Sequence, residues 1–159
     1  MRKIVLLIGL ILMASTSLVA QKFPKVILSG DYPDPSIMRD GKDYYMTHSP
    51  LLYAGVLDMA FTGFDELGAV CRVMPEYDGS AMAPDLLKYG DTFYIYYPAA
   101  GTNWVIWAKD IKGPWSKPVD LKVSGIDPGH IVDKQGNRYL YVDKGEVIRL
   151  TEDGLSTNR

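Results

Sequence analysis

The chain has 159 residues, 47% of them hydrophobic and 23% charged, with a net charge of −2. This is a globular composition rather than a disordered one, long enough for one ordinary domain or part of a larger one. The near balance of charge removes the electrostatic basis for binding nucleic acid or an anionic membrane surface, so neither is expected as a partner.

Residues 1–20, MRKIVLLIGLILMASTSLVA, begin with Arg2 and Lys3, run apolar from Ile4 to Met13 and end in small residues. That is the layout of a secretory signal peptide, and the apolar run is short for a membrane span. Cleavage after Ala20 leaves a mature chain of residues 21–159, secreted or periplasmic, with no stable membrane association. Cys71 is the sole cysteine, which excludes an intrachain disulfide and reads as a small strand residue.

Beyond the signal segment no convincing amphipathic helix is found. The stretch GDYPDPSIMRDGKDYYM places Asp34 between Pro33 and Pro35, just ahead of the strand-like run DYYMTHS that ends near His48. Residues 54–69, AGVLDMAFTGFDELGA, break the strand pattern, and Gly63, Asp65, Glu66 and Gly68 read as a polar loop. Next come TFYIYYPAA, NWVIWAKD, RYLYVDK and EVIRL, each of strand length and each bounded by Gly, Pro, Asn or Asp. DGK, YGDT and GNR are hairpin turn signals. The chain therefore reads as all-β, in antiparallel hairpins.

Three segments align: DPSIMRDGKDYYM from Asp34, DLLKYGDTFYIYY from Asp85, and DPGHIVDKQGNRYLYV from Asp127. The aspartates are 51 and 42 residues apart, and the turn glycines Gly41, Gly90 and Gly136 are 49 and 46 apart. A period of about 40–50 residues built only of short strands marks a β-propeller blade. In a propeller the first strand of each blade lines the axis, so Asp34, Asp85 and Asp127 converge on one end of the channel. Convergent carboxylates invite acid–base chemistry; each taken alone reads rather as the cap of a turn. Trp104 and Trp107 are read on one face of their strand, with Trp104 available to stack on a sugar ring or to pack between blades. His48 lies within reach of the rim. Neither histidine sits in a metal motif, and no metal or cofactor is expected.

The segments YPDPSIMRDGKDYYM, SAMAPDLLKYGDTFYIYY and GIDPGHIVDKQGNRYLYV resemble the first three blades of glycoside hydrolase family 43, over residues 24–158. The resemblance implies a five-bladed propeller with about three blades in this chain, and β-xylosidase, α-L-arabinofuranosidase or arabinanase activity on a carbohydrate substrate. It implies that Asp34 is the general base, that Asp127 tunes the general acid, and that Asp85 supports the site; Trp104 and His48 are candidate substrate contacts on the reading of the residues alone. It also implies inversion at the anomeric carbon, with acid and base roughly 6.5–9.5 Å apart so that water fits between.

The family's general acid is a Glu well beyond the Asp127 motif. Glu146 and Glu152 are the glutamates after Asp127, and Glu146 is too early for that position. The expectation is an amino-terminal fragment without its acid, inactive alone; the alternatives are a non-catalytic carbohydrate-binding propeller and a pseudogene fragment. Where this chain has residues 58–69, the family pattern carries Trp-x-Ser-x-Asp-Leu-x-x-Trp. One allowed choice of codons for Asp58–Ala69, read one base later, encodes that pattern, which points to a compensated pair of frameshifts.

Overall fold

A computed structural model describes residues 32–49, 57–62, 66–73 and 81–158; the segment read as a signal peptide lies outside them. The described residues form three antiparallel sheets in chain order. The first comprises β1 (Ser36–Asp40), β2 (Asp43–His48), β3 (Leu57–Thr62) and β4 (Glu66–Val73). The second comprises β5 (Asp85–Tyr89), β6 (Thr92–Ala99), β7 (Thr102–Ala108) and β8 (Val119–Asp120), and the third β9 (Gly129–Val132), β10 (Arg138–Val142) and β11 (Glu146–Arg149). A bridge between Leu150 and Thr157 continues the third sheet past β11. Every sheet is a meander in which each strand pairs with its chain neighbour, as a propeller blade requires.

The inner hairpins follow from their turns. Asp40 pairs with Asp43 and Tyr89 with Thr92, which leaves two-residue loops opened by Gly41 and Gly90, both at φ 62°. Glycine at the first loop position is what a II′-type hairpin takes, because that backbone matches the twist of the strands. These turns fix the register of each hairpin and so decide which residues face each other at its far end.

The middle sheet carries the core. All eight residues of β6 are buried, because both of its faces are covered. Phe93, Ile95, Tyr97 and Ala99 point into a cluster shared with Tyr45 of β2 and Ile106 of β7. Tyr94 and Tyr96 point the other way, into a cluster with Val105, Leu140, Val142 and Leu150. The two-residue period thus divides one strand between two interfaces, and each large side chain so buried contributes about 1.5–3 kcal/mol. The outward faces of the flanking sheets stay open: Ile37 on β1 is 65% exposed and Ile131 on β9 is 54% exposed.

Two expectations are corrected. Glu66 and Gly68 belong to β4 rather than to a polar loop. The outer edge of β2 offers unpaired backbone groups, and the segment that follows pairs with it despite its composition; the β3–β4 ladder shifts register twice, between Met59 and Ala60 and between Ala60 and Thr62. Trp104 and Trp107 lie on opposite faces of β7, packing on the first and second clusters respectively, because a spacing of three residues in a strand reverses the face.

Candidate active site

The innermost strands β1, β5 and β9 open with Ser36, Asp85 and Gly129. Two residues ahead of each stands a residue in the left-handed region, followed at once by proline: Asp34 at φ 51°, Ala83 at φ 37° and Asp127 at φ 53°. The prolines Pro35, Pro84 and Pro128 therefore set the structural register of the repeat. By that register Asp34 and Asp127 are equivalent, and their partner in the middle blade is Ala83. Asp85 is not equivalent to them but stands two residues deeper, because the middle repeat reads Pro-Asp where the others read Asp-Pro. Asp tolerates the left-handed region better than most residues, which suits the two positions where it occurs.

Asp85 laces the three inner strands together. Its Oδ2 accepts the backbone N–H of His130 at 2.7 Å and its Oδ1 accepts the Ser36 hydroxyl at 3.5 Å. Ser36 Oγ in turn accepts the N–H of Leu86 at 2.9 Å. Burial pushes the Asp85 carboxyl above its ordinary range, against the opposing pull of the His130 N–H and the Ser36 hydroxyl. Through this lacing the start of β1, just after Asp34, and the start of β9, just after Asp127, are held at one end of the channel. Both Asp34 and Asp127 are exposed there.

Asp34 has a partner that the sequence reading did not single out. Ser49 Oγ donates to Asp34 Oδ2 at 2.7 Å and accepts the N–H of Ala83 at 2.7 Å, while Ser49 N donates to Pro33 O at 2.9 Å. The signal was in the hairpin: Ser36 pairs with Thr47, so continuing the ladder by two residues sets Ser49 opposite Asp34. The same continuation in the third blade sets Asp143 opposite Asp127. Asp143 Oδ1 accepts the Ile126 N–H at 3.0 Å, and its own N–H donates to Ile126 O at 2.9 Å.

His48 lies beside this group. Its Nδ1 is 2.9 Å from Ser49 O and so carries the ring proton, since a carbonyl only accepts. Tyr32 meets the imidazole edge-on at 5.1 Å. Trp104 donates its indole N–H to Ala99 O at 3.0 Å and packs, half-buried, on the first core cluster. Glu146 opens β11 and Glu152 follows that strand, both exposed. Behind β9, Arg138 is 1% exposed and donates to His130 Nε2 at 2.9 Å and to the Tyr96 hydroxyl at 3.1 Å. Among the described residues, no group of three or more His, Cys, Asp or Glu is placed to hold a metal ion, and no helix is long and apolar enough to cross a membrane.

Asp34 and Asp127 are thus two exposed carboxylates at equivalent positions, just ahead of strands tied to each other through Asp85. Comparison with known proteins bears on the family and the fold. The profile of glycosyl hydrolases family 43 matches residues 23–158. A xylosidase/arabinosidase of Butyrivibrio fibrisolvens is 32% identical over 147 residues, covering 83% of this chain and 28% of its own length. A non-reducing end α-L-arabinofuranosidase of Bacteroides ovatus is 34% identical over 146 residues, covering 80% of this chain and 27% of its own. The crystal structure of a family 43 protein from Bacillus licheniformis superposes with a TM-score of 0.73 at 26% identity, over 86% of this chain and 32% of that one. The chain thus spans under a third of the length of these relatives, and its three sheets correspond to part of a five-bladed propeller.

Proposed function

We propose that this chain, which belongs to family 43 of the glycosyl hydrolases, supplies the base side of an inverting glycosidase acting on xylose- or arabinose-containing chains. Asp34 is the general base that takes a proton from the attacking water. Asp127 stands across the rim and tunes and orients the general acid. That acid is a carboxylate outside the described residues. His48 borders the substrate at the rim, and Trp104 backs the pocket wall from β7. Asp85 serves the substrate through the strands it joins. Residues 1–20 direct export to the periplasm or the medium.

The observation that carries this reading is the equivalence of Asp34 and Asp127: two exposed carboxylates, each left-handed and each followed by proline, at the same end of strands laced by Asp85. Inversion needs a base held at a fixed distance from an acid on the other face of the sugar, and strands offer that rigidity better than loops.

The test grafts residues 32–158 in place of the matching blades of a family relative and follows hydrolysis of aryl β-xylosides and α-L-arabinofuranosides. Turnover with release of the inverted anomer, seen by proton NMR and abolished by Asp34→Asn, is the expected result. A graft that turns over neither substrate, or activity that survives Asp34→Asn, sinks it.

A further inference from the structure

We propose that Ser49 is a positioning residue that fixes the Asp34 carboxylate and leaves Oδ1 as the oxygen that takes the proton from water; this rests on the reading of Asp34 as the base. Ser49 is 6% exposed and closes the β2 end of the hairpin opposite Asp34. A hydroxyl has one proton to give. Its oxygen accepts the Ala83 N–H at 2.7 Å, so the Ser49 proton is directed along the second 2.7 Å contact, to Asp34 Oδ2. A carboxylate held through one oxygen by a short hydrogen bond from a buried donor loses its rotational freedom. Asp34 is exposed, which leaves the other oxygen, Oδ1, to the water.

The relay crosses between blades. Ala83 belongs to the segment leading into β5, whereas Asp34 and Ser49 belong to the first blade. It also accounts for an oddity of the backbone. Ala83 is an alanine at φ 37°, where a side chain without polar atoms finds no local compensation. That conformation presents its N–H to Ser49, and the hydrogen bond offsets the strain. Ser49 therefore gives the middle blade, which lacks an aspartate at this position, a structural part in the site.

Two readouts separate the relay from the glycosidase reading. In the ¹⁵N-labelled full chain, the Ala83 amide resonance is followed as Asp34 takes up a proton, in wild type and in Ser49→Ala, Ser49→Thr and Asp34→Asn. The resonance is expected to follow the Asp34 carboxylate in wild type and in Ser49→Thr, which keeps the hydroxyl, and to lose that response in Asp34→Asn and Ser49→Ala. Asp85, two residues from Ala83, still titrates in Asp34→Asn, so that arm supplies the background to be subtracted. A response no larger in wild type than in Asp34→Asn, or one that persists undiminished in Ser49→Ala, overturns the relay. In the grafted enzyme, Ser49→Ala should lower kcat about ten- to hundred-fold with KM unchanged, the cost of a misplaced reacting group, and Ser49→Thr should restore most of it. A rise in KM at constant kcat also overturns the proposal. If the grafted wild type hydrolyses nothing, the glycosidase reading fails, and the Ala83 resonance still decides the relay.

Discussion

Arg138 donates its Nε–H to Nε2 of His130 at 2.9 Å, from a guanidinium whose carbon lies 4.4 Å from the ring centroids of both Tyr89 and Tyr94. An Nε2 that accepts belongs to a neutral imidazole with its proton on Nδ1. Burial first, and the Arg138 charge second, hold His130 down at about 4. The folded protein thus binds fewer protons here than the unfolded chain, whose histidine titrates near 6.5. Stability from this group is present in full above about 6.5 and erodes as the pH falls towards about 4. With allowance for solvent screening, the loss is on the order of 1–2 kcal/mol. His130→Gln, which keeps an acceptor for Arg138 but cannot charge, should flatten this acid limb. Urea midpoints at pH 7 and pH 4.5 measure it; equal slopes in the two proteins would contradict the arrangement.

Asp85 acts with the opposite sign. Its folded carboxyl is raised by burial, so its contribution is present below the ordinary carboxylate value and is lost as the pH rises through its folded value. Asp85→Asn retains an oxygen for the His130 N–H and offers Ser36 Oγ a donor, while removing the cost of burying a charge. It should lie within about 0.5 kcal/mol of wild type at pH 7. Asp85→Ala leaves the His130 N–H and the Ser36 hydroxyl unsatisfied and should cost about 2–3 kcal/mol. Denaturant unfolding checks the difference, and hydrogen exchange at the His130 amide locates it. An Asn variant as unstable as the Ala variant would mean that the charge, not the hydrogen bonds, holds the inner strands.

The parts of this fold that were legible in the sequence are those dictated locally. The strands β2, β6, β7, β10 and β11 follow from short apolar and aromatic runs bounded by turn residues, and the period follows from the spacing of Gly41, Gly90 and Gly136. The register of the site was half legible. Aligning on aspartate put Asp85 beside Asp34 and Asp127, whereas Pro35, Pro84 and Pro128 show that it belongs two residues further in. Ser49 was within reach of the hairpin register but not of residue type, since a serine ending a strand is commonplace. Arg138 was out of reach, because its partners come from β5, β6, β9 and the turn at residues 152–154, which only tertiary packing brings together.

Tyr96 ties that turn to the middle blade. Its hydroxyl donates to Gly154 O at 2.9 Å and accepts from Arg138 Nη2 at 3.1 Å, and the residue is fully buried. Tyr96→Phe leaves a buried guanidinium N–H and a carbonyl short of partners, at about 1–3 kcal/mol. Gly154 stands at φ 74°, and a Cβ there would lie 2.5 Å from the Arg138 guanidinium carbon. That guanidinium is held between two tyrosine rings and cannot yield cheaply. Gly154→Ala should therefore destabilise by at least as much as Tyr96→Phe. Thermal melts of both variants and of the double variant test the cluster, whose members share Arg138 and should not add. Additive losses would show that the two residues act apart.

The irregular β3–β4 ladder yields a prediction about the gene. Two register shifts within four residues of β3, Met59 to Thr62, coincide with the segment whose composition breaks the strand pattern. Read one base later, Asp58–Ala69 encodes Ile-Trp-His-Ser-Gln-Asp-Leu-Met-Asn-Trp-Glu under one allowed choice of codons, a strand–turn pattern with tryptophans at both ends. The coding sequence is expected to carry that choice, bounded by an insertion and a deletion that cancel. Replacing the segment by the shifted reading should then raise the melting temperature by several degrees, since a blade that regains large side chains recovers about 1.5–3 kcal/mol for each one buried. A coding sequence whose shifted frame holds a stop codon or lacks both tryptophans refutes the idea, and β3 and β4 would then stand as the native outer strands of the first blade.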